Sequence, residues 1–403
     1  MNRIERIHRM EELERSEKSE QSEQSDRMNN TQDFVGAVLR QCGDAHHGVG
    51  QLVIVTHLVP GADIFLRAVH RLIPIAAVIP KPHSIHAAVR RRLEQHIPVW
   101  PLTRTDINEN PAGVILELRR RLSDNPFAII DTGAYFCQIL PALHRHFGKQ
   151  LIGLVEDTEN GHQKYESLLA RTENRTFPCS LASVARSDLK KPEDFLVGQA
   201  IVFSAEALLR EQGAILTGKR AAVFGYGKVG RSIAQNLHCK SASVEVIDTD
   251  ASRQVLALAH GYHTGPVDEV LARADLLFCA TGNLSLKPRH VSLIKKGAYV
   301  FTATSADDEI EGHRDLLASG CRSGGRRWMK IRNPQGEFHL CNNGNSVNFV
   351  HGGIVGDFVR LVQAEFILAA TQLSRITQRS RIHILDDPAR RAIAALWLQH
   401  FSP

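Results

Sequence analysis

The run Ala221-Ala-Val-Phe-Gly-Tyr-Gly-Lys-Val-Gly230 joins a short apolar strand to a Gly-x-Gly-x-x-Gly turn, and the helix-forming stretch Arg231–Leu237 follows. Glycines at these spacings suit a dinucleotide. Gly225 permits the tight turn, Gly227 lets backbone approach a pyrophosphate, and Gly230 lets helix and strand pack closely. The first residues of the helix, Lys228, Val229 and Gly230, then present N–H groups and a positive dipole end to the phosphates. A second strand, Val244–Ile247, ends in Asp248, 23 residues after the first glycine. A carboxylate there accepts hydrogen bonds from both ribose hydroxyls, which favours NAD over NADP; Arg253, five residues on, is the feature that favours NADP. Downstream, Ala274–Asn283 reads as a buried strand ending in Thr281-Gly-Asn283. Open α/β sheets place ligands at strand C-termini, so Thr281 and Asn283 are expected at the cofactor.

Other reactive groups point away from metal or hydrolytic triad chemistry. His46 and His47 beside Asp44 form no second ligand pair and read as a surface turn, so no metal site is expected. No Gly-x-Ser-x-Gly, His-Glu-x-x-His or P-loop occurs. The 7 cysteines are scattered without a Cys-x-x-Cys pair, as fits reduced thiols in a cytoplasmic enzyme.

The elements that must position these groups alternate. Gln51–Thr56, Ile75–Ile79, Phe127–Ile130 and Gln150–Val155 read as short buried strands, with helical spacing over Ile85–Gln95 and Gly113–Leu122. This alternation predicts an α/β protein of two doubly wound parallel-sheet domains, the second a Rossmann NAD-binding domain. The expected divisions are a mobile charged tail over 1–33, the first part of a substrate domain over 34–199, and the NAD-binding domain over 200–350. Helices over 351–403 then return to the substrate domain. A helix over Ala200–Gln212 is expected between the two blocks, and another over Phe358–Leu373.

Composition agrees. With 403 residues and 43% hydrophobic side chains the chain has ample core for two domains. No apolar run of about 18 residues is present, so no membrane span is expected. The formal charge of +6 conceals an acidic first thirty residues, net −2, and a body of +8. The densest basic stretch, Arg322–Arg332, suits a solvated loop or an anionic ligand better than nucleic acid.

Several ordered motifs carry a resemblance to a known family. Glu156-Asp-Thr-Glu-Asn-Gly161, followed by His162 and Tyr165, resembles the Glu-Glu-Thr-Thr-Thr-Gly segment of S-adenosylhomocysteine hydrolases. Phe224–Gly230 resembles their cofactor loop; Ala280-Thr-Gly-Asn283, Asp307-Asp-Glu-Ile310 and Asn342-Asn-Gly344 recur in order. The resemblance covers nearly all of residues 50–400. It implies bound NAD as an internal oxidant of a ribose hydroxyl, with net hydrolysis of a thioether. It also implies catalytic roles for His57, Asp131, Asp157, Lys190 and Asp194, the last two acting together at the hydroxyl. Thr158, Asn160 and Asn342 become further cofactor contacts.

Departures from the pattern bear on substrate. The adenine-reading threonine and glutamate that follow the family's histidine correspond to Val59 and Gly61. A second aspartate after Asp131 is Thr132. One histidine is Ser305; another falls on Phe349, with His351 two residues away as a replacement. Because buried polar groups discriminate sharply, these changes predict a substrate other than S-adenosylhomocysteine. The expected function is therefore an NAD-dependent, adenosylhomocysteinase-like hydrolase, lyase or oxidoreductase, transiently oxidising a secondary hydroxyl of a nucleoside or sugar-like small molecule. Genuine S-adenosylhomocysteine hydrolysis and an inactive NAD-binding regulatory protein are the alternatives. A homo-oligomer, dimer or tetramer, without nucleic-acid or membrane partners, is expected.

Overall fold

The computed structural model describes residues 25–41, 48–172, 175–322 and 327–402. It divides into two compact units, Met1–Ala185 with Arg360–Pro403, and Arg186–Val359. The divisions thus fall at 185/186 and 359/360, where the sequence reading placed them at 199/200 and 350/351.

The first unit is built on β1 (Gln51–Leu58), β2 (Ile75–Ile85), β3 (Phe127–Asp131), β4 (Leu151–Glu156) and β5 (Ser180–Ser183). These pair in the order β2-β1-β3-β4-β5, every pair parallel. Leu52, Val53, Ile54 and Val55 are fully buried, as a strand covered on both faces requires. The chain leaves β1 for β2 on one side and returns to β3 on the other. The order reverses between β1 and β3, and the loops after those two strands flank the crevice.

A helix over residues 25–41 corrects the expected tail. Phe34, Val35, Val38 and Leu39 give it an apolar stripe, and all are buried. Phe34 packs edge-on against Phe401, with ring centroids 5.2 Å apart, and Asn30 donates to the His400 carbonyl at 2.9 Å. The polar composition ahead of this stripe hid the helix start. Residues 1–24, Asp44, His46 and His47 lie outside the described residues.

The second unit carries β6 (Arg220–Phe224), β7 (Ser243–Ile247), β8 (His263–Thr264), β9 (Leu276–Cys279), β10 (Tyr299–Thr302), β11 (Cys321–Arg322), β12 (Trp328–Asn333) and β13 (Gly336–Cys341). Their order is β11-β12-β13-β10-β9-β6-β7-β8. The six strands from β13 to β8 are parallel and reverse order at β6/β9, the Rossmann arrangement. The sheet as a whole is mixed rather than parallel, because β12 pairs antiparallel with both β11 and β13. Only two residues, Pro334 and Gln335, join β12 to β13, too few for a parallel crossover. Arg322 of the basic stretch lies on the edge strand β11, where charge blunts edge-to-edge pairing, and Lys330 and Arg332 lie on its neighbour β12.

The helix expected at Ala200 runs over Lys191–Glu211 and belongs to the second unit. Pro192 suits its first turn, and Gly198 is needed where the neighbouring helix Lys228–Cys239 presses in. A Cβ on Gly198 would lie 2.5 Å from Ser232. Among the described residues no helix is long and apolar enough to cross a membrane.

If the helix over 25–41 is integral to the first unit, Phe34→Ala should destabilise that unit by about 3–5 kcal/mol in chemical denaturation. An unchanged transition would return this segment to a tail.

Candidate functional site

In the first unit the implicated residues gather at the C-terminal edge of the sheet. His57 lies at the end of β1, and its Nδ1 is 2.5 Å from Ser84 Oγ on β2. Ser84 in turn donates to the Lys81 carbonyl at 3.1 Å. Asp131 ends β3 and is fully buried. Its Oδ1 accepts from the Tyr135 N–H at 2.9 Å; its Oδ2 accepts from the Phe136 N–H at 3.0 Å and the Tyr165 hydroxyl at 2.7 Å. Burial pushes this carboxyl up, against the pull of those donors and of Lys81. Asp131 therefore shapes the loop after β3, and its carboxylate is enclosed rather than presented to a substrate.

Thr132, in place of a second carboxylate, donates from Oγ1 to the Val55 carbonyl at 2.7 Å and ties the end of β3 to β1. Asp157 follows β4 and is only partly buried, so it is the carboxylate of this segment that the strand edge can present. Thr158 caps the helix Glu159–Arg171, accepting from the Gly161 N–H at 3.1 Å, with Asn160 in the first turn.

Sequence reasoning passed over the group that organises this edge. Glu156 is fully buried and collects four donors. They are the N–H groups of Gly133 (2.9 Å), Ala134 (3.0 Å) and Thr158 (2.8 Å), and the Thr158 hydroxyl (2.7 Å). A Cβ on Gly161 would lie 2.2 Å from its carboxyl carbon, so the glycine of the motif exists to admit the glutamate. Burial and the Asp131 carboxylate push Glu156 up, to about 8. Glycine five residues after a strand-terminal glutamate was the available signal.

The second unit holds the dinucleotide loop and the lysine set. Gly225 has φ +90°, and a Cβ there would meet the Ala280 carbonyl oxygen at 2.8 Å. A Cβ on Gly230 would lie 1.9 Å from the Gly225 carbonyl oxygen. Gly227 differs: nothing lies within 4 Å of its Cβ position, which leaves open space above the turn at the start of the helix Lys228–Cys239. Asp248 at the end of β7 accepts from the Tyr226 N–H at 2.7 Å, and Arg253 Nη1 stands 3.6 Å from the same carboxylate oxygen. Tyr226 is buried beneath the loop, its hydroxyl 2.7 Å from His260 Nδ1.

The loop after β9 is held by a second buried glutamate. Glu309 accepts from Thr281 Oγ1 (2.8 Å), the Gly282 N–H (2.8 Å), Ser285 Oγ (2.8 Å) and Thr304 Oγ1 (2.9 Å). Thr281 thus faces Glu309 and also caps the Asn283 N–H at 3.0 Å, while Asn283 is exposed. Asn342 donates to the carbonyls of Asn345 (3.3 Å) and Ser346 (3.1 Å) and so holds its own loop.

Lys190 precedes the helix Lys191–Glu211 and is 7% exposed, which excludes a merely solvated ion pair. Its Nζ lies 2.9 Å from Glu193, a residue the sequence reading did not single out. Asp194 lies 3.2 Å from Lys228 of the glycine loop. The His351 ring packs edge-on against Phe203 of the same helix, with centroids 5.6 Å apart.

Residues 202–355 match the family model described as the NAD-binding domain of S-adenosyl-L-homocysteine hydrolase. Over 272 residues the chain is 26% identical to an S-inosyl-L-homocysteine hydrolase of Methanopyrus kandleri, covering 65% of this chain and 61% of that protein. Over 228 residues it is 28% identical to an adenosylhomocysteinase of Aeropyrum pernix, covering 56% and 54%. The chain is thus similar to S-adenosylhomocysteine hydrolases, and residues 202–355 match their NAD-binding domain. The matches span little more than half the length of these relatives. A solved glyoxylate reductase from Paecilomyes thermophila is similar at 12% identity and TM-score 0.44, over 82% of this chain and 98% of that one.

NAD is the cofactor of the matched domain, and this chain keeps the means to hold it. The open space at Gly227, the closed contacts at Gly225 and Gly230, and a carboxylate ending β7 form a dinucleotide cradle. Among the described residues no cluster of three or more His, Cys, Asp or Glu could hold a metal ion.

Two outcomes test this site. Gly227→Ala should leave thermal stability within about 0.5 kcal/mol, since its Cβ meets nothing, while weakening NAD binding at least tenfold in calorimetric titration. Equal binding would place the pyrophosphate elsewhere. Because the folded pKa of Glu156 lies above its unfolded value, its contribution to stability is full below about pH 4.5 and is lost as pH rises through about 8. Urea denaturation of the first unit should therefore show stability falling from pH 5 to 8, and Glu156→Gln should flatten that slope.

Proposed function

We propose that this protein is an NAD-dependent, adenosylhomocysteinase-like enzyme that transiently oxidises a secondary hydroxyl of a nucleoside or sugar-like substrate other than S-adenosylhomocysteine. The observation that carries the reading is the linkage in the second unit. Asp194 and Lys228 join the glycine loop, through a 3.2 Å ion pair, to the segment bearing the buried Lys190–Glu193 pair. A cofactor cradle and a buried proton-handling pair thereby lie on two elements tied by that ion pair, as hydroxyl oxidation needs.

When bound, NAD supplies the hydride acceptor for such an oxidation. Lys190 takes the hydroxyl proton and returns it, with Glu193 stabilising its charged form. Lys228 and the N–H groups of the glycine loop orient the dinucleotide, and Asp248 receives ribose hydroxyls. In the first unit, His57 can handle a proton at the strand edge, with Ser84 fixing its ring, Asp157 can accept hydroxyl hydrogen bonds there, and Asp131 acts as a positioning residue through the loop it closes. Val59 and Gly61 support a changed substrate, because the side chains that would read adenine are missing there, and Thr132 and Ser305 replace an aspartate and a histidine of the family's pattern. An S-inosyl-L-homocysteine hydrolase among the relatives supports the same direction.

The deciding measurement uses protein loaded with NAD and mixed with nucleosides, nucleoside thioethers or sugars, read as absorbance at 340 nm. Substrate should reduce the bound cofactor, and Lys190→Ala should slow that reduction about 10²–10⁴-fold. Reduction at the wild-type rate would remove Lys190 from the chemistry. Reduction by no hydroxyl compound would favour a regulatory NAD-binding protein.

A further inference from the structure

Tyr226 stands between the first two glycines of the cofactor loop, and its backbone and side chain face different neighbours. Its N–H donates to Asp248 Oδ2 at 2.7 Å, at the mouth of the cradle. Its ring is 1% exposed and lies in the core beneath the loop, edge-on to Tyr262 with centroids 6.0 Å apart. A phenol buried this far needs a partner for its hydroxyl, and His260 Nδ1 supplies one at 2.7 Å. Burial pushes the phenol up to about 12, so near neutrality the hydroxyl keeps its proton and donates it to an unprotonated Nδ1.

Both contacts end on one helix. Asp250 caps the helix Ala251–Ala259, and its N–H donates to Asp248 Oδ1 at 2.9 Å. Gln254, within that helix, donates to the Asp248 carbonyl at 2.7 Å. His260 closes the other end, its N–H donating to the carbonyls of Leu256 (3.1 Å) and Ala257 (3.2 Å). Asp248 is thus tied to the start of the helix, while Tyr226 is tied to Asp248 and to the end of the helix. A short helix held at one end can pivot about it. Held at both, it keeps the carboxylate in one place relative to Gly225 and Gly227. The imidazole is exposed, so the bond rather than packing is what it contributes.

We infer that His260 is a positioning residue of the cofactor site: through the Tyr226 hydroxyl it holds the glycine loop and Asp248 in the arrangement that receives the dinucleotide. The inference concerns NAD binding alone and requires no particular substrate or reaction. Without the bond, the free protein populates other loop arrangements, and NAD affinity falls by the fraction of molecules no longer competent.

Calorimetric titration of the full chain with NAD tests this, with thermal unfolding followed alongside. His260→Leu strands the phenol and should weaken NAD about 5–30-fold. Tyr226→Phe removes the bond without stranding a hydroxyl and should weaken NAD by about threefold or more. The double variant should bind NAD as Tyr226→Phe alone does, since both lack the same single bond. His260→Asn, whose side-chain amide can take the place of Nδ1, should stay within about threefold of the parent protein. Unchanged NAD affinity in His260→Leu or in Tyr226→Phe overturns the inference. So do losses that multiply in the double variant, or an Asn variant as weak as the Leu one. If His260→Leu does not fold, Tyr226→Phe decides the matter, weakened binding supporting the inference and unchanged binding overturning it.

Discussion

A buried carboxylate surrounded by donors fixes the ligand edge of each sheet. Glu156 gathers the loops after β3 and β4 in the first unit, and Glu309 gathers the loops after β9 and β10 in the second. Each glutamate is removed from water, which costs free energy, and each recovers it through four hydrogen bonds to groups that would otherwise be buried unsatisfied. Removing either would leave several donors without partners at once. The strand ends can consequently hold loops that are irregular in backbone yet fixed in position, which a site requires of its surroundings. Asp157 and Asn283 lie on loops of this kind.

How much of this was legible depends on how local the cause is. The continuous apolar runs of β1 to β4 announce strands buried on both faces, and the glycine loop announces itself because its steric demands lie within six residues. The helix starting at Lys191 was read nine residues late, since Gly198 breaks its pattern for a reason visible only in the neighbouring helix. Asp131 and Asp157 look equivalent along the chain, both following apolar strands. Only the fold-back of residues 132–137, which encloses one and not the other, separates them. Lys190 precedes the helix that carries Asp194, and Glu193, 2.9 Å from its Nζ, is a neighbour that only the folded turn reveals.

Two of the substitutions that set this chain apart from the hydrolases it resembles act on the loops after β1 and β3. A carboxylate at position 61 would stand against Arg360, and a second carboxylate at 132 would lose the Oγ1 bond that ties β3 to β1. With glycine and threonine there, backbone carbonyls of both loops become the acceptors for Arg360, Lys81 and Arg104. Three cations need acceptors when partly or largely buried, and these carbonyls, fixed by the loops that carry them, supply such acceptors.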